Sequence, residues 1–180
     1  GPEVLGTIAE TSREALGEMR RMVSLLRGDA SDGTAYGPAP GLADIAELVP
    51  KTTDRAELSV FGAPPRVAPA LGLTAYRIVQ ESLTNVLKHA GPQARARVTL
   101  AYTPDAVEIE VVDDGLGAAA SSEGSPGHGL QGMAERVALH DGTLTAQPRP
   151  GPGFVVRACL PLNGGEPTWV RPEPTVTTPL

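Results

Sequence analysis

Glu81, Asn85, Lys88 and His89 put a carboxylate, an amide, an ammonium and an imidazole into the short stretch "ESLTNVLKHA". At about 100° per residue these four positions form one stripe along a helix. Tyr76, Val79, Leu83, Val86, Leu87 and Ala90 form the apolar stripe opposite. A polar stripe of this kind can wall a ligand pocket. It is equally what the solvated side of an ordinary amphipathic helix shows. Two further segments bear on the choice. In "DDGLG", Asp113 closes a strand pattern and faces glycines, where a carboxylate can accept a hydrogen bond from an amino group and backbone can come close to a ligand. In "GHGLQGM", a second glycine-rich segment opens a helix, and amides at a helix N-terminus suit a phosphate. Taken singly, the first also fits a plain turn and the second a loop leading into a helix.

The elements that must position these groups are legible from periodicity. Residues 3–27 repeat apolar side chains at steps of three and four (Val4, Ile8, Ala15, Met19, Met22, Val23, Leu26), which predicts a helix ended by Gly28. Its apolar stripe calls for another helix or another copy of the chain. Residues 28–40 are turn-forming and read as a linker. A short helix is expected over Leu42–Leu48 and a short strand over Leu58–Phe61. The helix carrying Glu81 to His89 follows a Pro-rich stretch and is stopped by Gly91-Pro92. Residues 95–102 and "AVEIEVVDDG" alternate, which predicts an antiparallel hairpin with one buried face. Residues 115–129 are rich in Gly, Ser and Ala and read as mobile. A helix over "LQGMAERVALH" and strands over "GTLTAQP" and "GFVVRACLPL" complete the pattern. From Asn163 onward the chain is rich in Pro and Thr without periodicity, and residues 163–180 read as disordered.

Composition narrows the function classes. One hundred and eighty residues suit one domain, or one domain with an appendage. A hydrophobic fraction of 41% can build a core, and with one Trp, three Tyr and two Phe that core must be aliphatic. The net charge of −6 argues against a general nucleic-acid surface, so no direct nucleic-acid partner is expected. No apolar run approaches the roughly 20 residues of a membrane span, and the N-terminus has no signal-peptide pattern. The single Cys159 excludes an internal disulfide and a Cys-based zinc cluster. Gly1-Pro2 reads as the scar of a cleaved tag, which predicts that the natural chain continues upstream.

In order and combination the boxes carry more than they do singly. A helix with Glu and Asn on its polar face, a strand ending in DxGxG, a flexible segment and GxGLxGM resemble the ATP-binding domain of the GHKL superfamily. That superfamily includes sensor histidine kinases, type II topoisomerases and Hsp90-like chaperones. "YRIVQESLTNVLKHA", "VVDDGLG", "GHGLQGMAERV" and "DGTLTAQPRPGPGFVVRACLPL" resemble in detail two-component sensor histidine kinases, and within them the nitrate-sensor-like group. The match covers about residues 41–162. Residues 3–27, with "SREALGEMRRMVSLLRGD", resemble the second helix of that group's dimerisation and phosphoacceptor domain.

The resemblance implies an α/β sandwich: a mixed, mostly antiparallel sheet with helices on one face, preceded by a long N-terminal helix. It implies ATP and Mg²⁺ as cofactors. Asn85 would coordinate Mg²⁺, for which an amide oxygen is a suitable hard ligand, and Glu81 would polarise the nucleophile or a metal-bound water. Lys88 and His89 would face the phosphates. Asp113 would accept the adenine amino group, with Gly115 and Gly117 admitting the purine. Gly127, His128, Gly129, Leu130, Gly132 and Met133 would line the phosphate side, with residues 118–126 as a lid. One departure stands out. Many kinases of this superfamily carry Thr after the final strand's Gly, whereas here Gly153 is followed by Phe154.

Such a kinase phosphorylates a His on the first helix of its dimerisation domain and passes the phosphoryl group to an Asp of a response regulator. The His residues here are 89, 128 and 140. His140 is followed by Asp141, as an acceptor would be, but Asp141-Gly142 reads as a turn inside the ATP-binding domain. The acceptor is therefore expected on a missing upstream helix. The expected partners are that helix, a second copy in the full-length dimer, and a receiver domain. The expected location is cytoplasmic, in a parent that can be membrane-anchored through parts outside this chain. Two alternatives stay open on sequence: an anti-sigma-factor-type serine kinase, and a non-catalytic nucleotide-binding or dimerisation module.

Overall fold

The computed structural model describes residues 39–117 and 128–162. The expected helix 3–27, nearly all of the linker 28–40, the lid 118–126, Gly127 and the tail 163–180 lie outside the described residues.

The described chain opens with a 3₁₀ turn, Leu42–Asp44, and runs through α1 (Ile45–Thr52), β1 (Ala56–Phe61), α2 (Pro69–His89), β2 (Ala96–Tyr102), β3 (Ala106–Asp113), α3 (His128–Ala138), β4 (Thr143–Pro148) and β5 (Phe154–Pro161). The strands form one sheet in the order β1-β2-β3-β5-β4. β1 and β2 are parallel, as a crossover through the 21-residue α2 requires, and the other pairings are antiparallel. This is the mixed, mostly antiparallel sheet that the sequence led us to expect.

Local chemistry sets the ends of these elements. Gly41 N–H donates to Asp44 Oδ2 at 2.7 Å, closing the first turn. Pro69 occupies the start of α2, where its missing N–H costs nothing. Ala90 ends that helix and Gly91 follows at φ +99°. α1 runs four residues past the expected Leu48, through Pro50. Val49 is buried in the core, and Thr52 Oγ1 donates to Leu48 O, so the extra turn is held despite the proline.

All three helices lie on one face of the sheet. Ile45 and Val49 of α1, Ala75, Ile78, Val79 and Leu83 of α2, and Met133 and Val137 of α3 pack with Val98, Leu100, Val107, Ile109, Ala158 and Leu160 of the strands. The ladder aligns Val107 with Leu160 and Ile109 with Ala158, so these side chains share one face. On the other face Arg157 Nε pairs with Glu110 Oε2 at 2.7 Å, directly across the β3–β5 ladder. The hairpin was expected to bury one face only. Instead Glu108 lies between Ala101 and Cys159 on that second face, and all three are buried. Alternation therefore marked the faces of β3, not their exposure.

The buried side of α2 also differs from the expected stripe. Leu71, Thr74, Ala75, Ile78, Ser82 and Val86 are buried, while Leu87 is 41% exposed. The buried side is rotated by roughly 70° towards the polar residues. The sheet and α3 approach the helix along Ile78 and Ser82, and Leu87 falls beyond their reach. We predict that Leu83→Ala lowers unfolding stability by about 2–5 kcal/mol, because it opens a cavity in the core. Leu87→Ala should cost within about 0.5 kcal/mol. Urea midpoints of the two variants check the rotation.

Candidate functional site

Asp113 is the last residue of β3, paired with Ala96, and is buried. Its Oδ1 accepts the Gly115 N–H at 2.9 Å, and the Phe154 amide also hydrogen-bonds the carboxylate. Burial pushes its pKa above the ordinary carboxylate value, and Asp114 adds to the rise. The two amides and the charge of Arg149 oppose it. Asp113 is thus a carboxylate anchored by backbone donors at a strand end, with acceptor capacity left for a ligand donor.

The loop after it is tied to both neighbours. Asp114 Oδ1 accepts the Arg95 amide at 2.7 Å, and Asp114 N–H donates to Arg95 O at 3.2 Å, which pins the turn to the start of β2. Leu116 N–H donates to Ala90 O at 3.1 Å, capping a carbonyl at the end of α2. A Cβ on Gly115 would collide with Ala90, so this glycine lets the loop reach the helix. The DDGLG segment is thereby fastened to the C-terminal end of the helix that carries Glu81 and Asn85.

α3 closes on the same helix higher up. A Cβ on Gly129 would collide with Glu81 Oε1, so the first turn of α3 lies against that carboxylate. Glu81 and Asn85 are half-buried, whereas Lys88 and His89 stand exposed in the last turn of α2. Leu130 and Gly132 are half-buried. His128 opens α3. Gly117 backs onto the carbonyl of Gly153. Met133 is fully buried, with Sδ 3.9 Å from the Ser82 hydroxyl, and it packs α3 onto α2. His140 ties α3 to α2 through Thr74 Oγ1, 3.1 Å from its Nε2, and Asp141 turns at φ +55°. That geometry agrees with the turn inferred there.

The structure thus brings Glu81 to Gly129, and Asp113 to Gly115, Phe154 and Arg149. Sequence reasoning did not foresee the last two. Their signal lies in strand pairing, since Val112 faces Val155 and the next step brings Phe154 to Asp113. Phe154 acts through its main chain, which no side-chain motif announces.

The donors present suit a hard cation. Among the described residues no group of three or more His, Cys, Asp or Glu is placed to hold a metal. Magnesium does not need one, because it keeps waters and ligand phosphates and takes one or two protein oxygens. The Asn85 amide and the Glu81 carboxylate are hard oxygen donors one helical turn apart on α2.

Comparison with known proteins identifies the family. The family model for the histidine kinase-, DNA gyrase B- and HSP90-like ATPases matches residues 71–164, slightly more than half of the chain. The chain belongs to this ATPase family. Residues 71–164 are therefore an ATP-binding domain. Among its relatives, the sensor histidine kinase LnrJ of Bacillus subtilis is 31% identical over 156 residues, covering 87% of this chain and 37% of that protein. The signal transduction histidine-protein kinase/phosphatase DegS of the same organism is 33% identical over 101 residues, covering 54% and 26%. The chain therefore spans only about a quarter to two fifths of these relatives. Among solved structures, the histidine kinase domain of the blue-light activated kinase of Erythrobacter litoralis EL346 superposes with a TM-score of 0.54 at 21% identity, over 74% of this chain and 66% of that one. This last likeness supports the ATPase fold. No described helix is long and apolar enough to cross a membrane.

Proposed function

We propose that this chain is the catalytic part of a sensor histidine kinase, binding ATP with Mg²⁺ and delivering the γ-phosphoryl group to a histidine that lies outside it. The observation that carries the reading is the buried Asp113, held by two backbone donors in a loop fastened to one end of α2, while Glu81 on the same helix lies against the first turn of α3. A base-binding acceptor at one end and a helix N-terminus at the other suit a nucleotide laid along α2. Placement in the nitrate-sensor-like group rests on the sequence motifs alone. We assign residues 3–27 to the second helix of the dimerisation domain, and 41–162 to the catalytic domain.

In this reading Asp113 accepts the adenine amino group, and the DDGLG loop, fixed to β2 and α2, holds the base. Amides at the start of α3, with Gly129 and Gly132, take the phosphates. Asn85 would hold Mg²⁺ directly and Glu81 would hold it through water, and the ion would supply compensation for phosphate charge. Glu81, one helical turn from Asn85, accepts a hydrogen bond from the attacking nucleophile, and Lys88 and His89 face the phosphates from the helix end. Phosphoryl transfer asks for this positioning and charge compensation more than for covalent help. The full-length protein would act as a cytoplasmic dimer that passes the phosphoryl group to a response-regulator receiver domain.

Calorimetric titration with ATP, with and without Mg²⁺, tests the assignment. The unaltered chain should bind saturably and more tightly with Mg²⁺. Asn85→Ala should lose roughly tenfold or more of the Mg²⁺-dependent affinity. Equal loss with and without the ion would remove Asn85 from the metal site, and no binding at millimolar ATP would overturn the reading.

A further inference from the structure

We propose that Arg149 is a positioning residue for the base-recognition carboxylate, holding Asp113 in place and in its ionised form from the turn between β4 and β5. The inference rests on the nucleotide reading above and adds a residue to which the sequence motifs gave no role.

The turn and the DDGLG loop are built against each other. Arg149 N–H donates to Gly153 O at 3.1 Å, closing the turn on itself. Its Nη1 reaches back to the carbonyl oxygen of Asp113 at 3.3 Å. Gly153 presses on that same carbonyl so closely that a Cβ would collide with it, and Gly117 backs onto Gly153. The next residue, Phe154, supplies an amide to the Asp113 carboxylate. One turn therefore grips Asp113 at both ends, by the Arg149 guanidinium at its main chain and by the Phe154 amide at its side chain.

The guanidinium also acts through its charge. Among the described residues, Asp114 in its own loop disfavours ionisation of the Asp113 carboxyl and Arg149 favours it. Arg95 before β2 and Lys88 and His89 at the end of α2 are exposed. A ligand amino group needs an acceptor, so Asp113 must be ionised. Burial already raises its pKa, so removing Arg149 raises it further. ADP binding should then fail at a higher pH than in the unaltered chain.

The test compares ADP affinity from pH 5 to 8, together with melting temperature, for the unaltered chain, Arg149→Ala and Arg149→Lys. For Arg149→Ala the midpoint of the acid limb should move to higher pH. Affinity near pH 7 should fall about threefold to tenfold, as expected for one charge-assisted contact at an exposed edge. Arg149→Lys should return the midpoint towards its original position, because charge survives while the planar donor is lost. A uniform loss of affinity at every pH, or no change in either quantity, would overturn the proposal while leaving the nucleotide reading intact. If the unaltered chain binds no ADP, the proposal falls together with that reading.

Discussion

Asp113→Asn should abolish measurable nucleotide binding, a loss of roughly a hundredfold or more. The carboxylate meets two backbone donors and, in the proposed complex, a third from the base. An amide keeps one acceptor oxygen, and its NH₂ must then confront one of these donors. The fold should survive. Because burial raises the Asp113 pKa, ionised Asp113 detracts from stability at neutral pH, and that cost disappears as pH falls through the raised value. Asp113→Asn removes the charge, so its melting temperature should match or exceed the parent's. Binding by the unaltered chain should follow the opposite course: intact at neutral pH, and lost as pH falls through the raised pKa of Asp113. Titration of ADP beside thermal unfolding separates the two effects. Retained binding in Asp113→Asn would remove this residue from the site.

Gly153→Ala should be the most damaging of the glycine substitutions we consider, costing about 2–5 kcal/mol of stability and weakening nucleotide binding with it. Gly153 sits at φ +101°, which penalises any side chain, and a Cβ there would strike the Asp113 carbonyl. Relief requires β5 to withdraw from the DDGLG loop, which takes the Phe154 amide from the Asp113 carboxylate. Gly151, two residues earlier, is the natural comparison. It has φ +97°, but a Cβ there would meet nothing within 4 Å, so Gly151→Ala should cost about 1 kcal/mol from backbone strain alone. Urea unfolding of the two variants checks the contrast. Equal costs would show that the contact with Asp113 carries no weight.

Much of this protein follows from local pattern. Strands and helices announced themselves through alternation and through helical periodicity, and the three boxes around Glu81, Asp113 and Gly129 fixed the family and the identity of an ATP-binding domain. Such signals are local, because side-chain period and turn chemistry need only a few neighbouring residues. Pairing and packing joined residues far apart in the chain, and these the pattern did not contain. Which side of α2 is buried depended on where the sheet and α3 approach it, so Leu87 stands exposed and Ser82 is covered. Met133 became a core residue because α3 leans on α2 there. Glu108 was buried by its place in the central strand, beside Ala101 and Cys159. Arg149 and Phe154 met Asp113 only through the antiparallel register of β3 and β5. Local pattern supplied the chemical groups and the element that carries each. Which backbone donors and which guanidinium surround Asp113 emerged with the packed fold, because those contacts are set by strand register and burial, and not by any short run of residues.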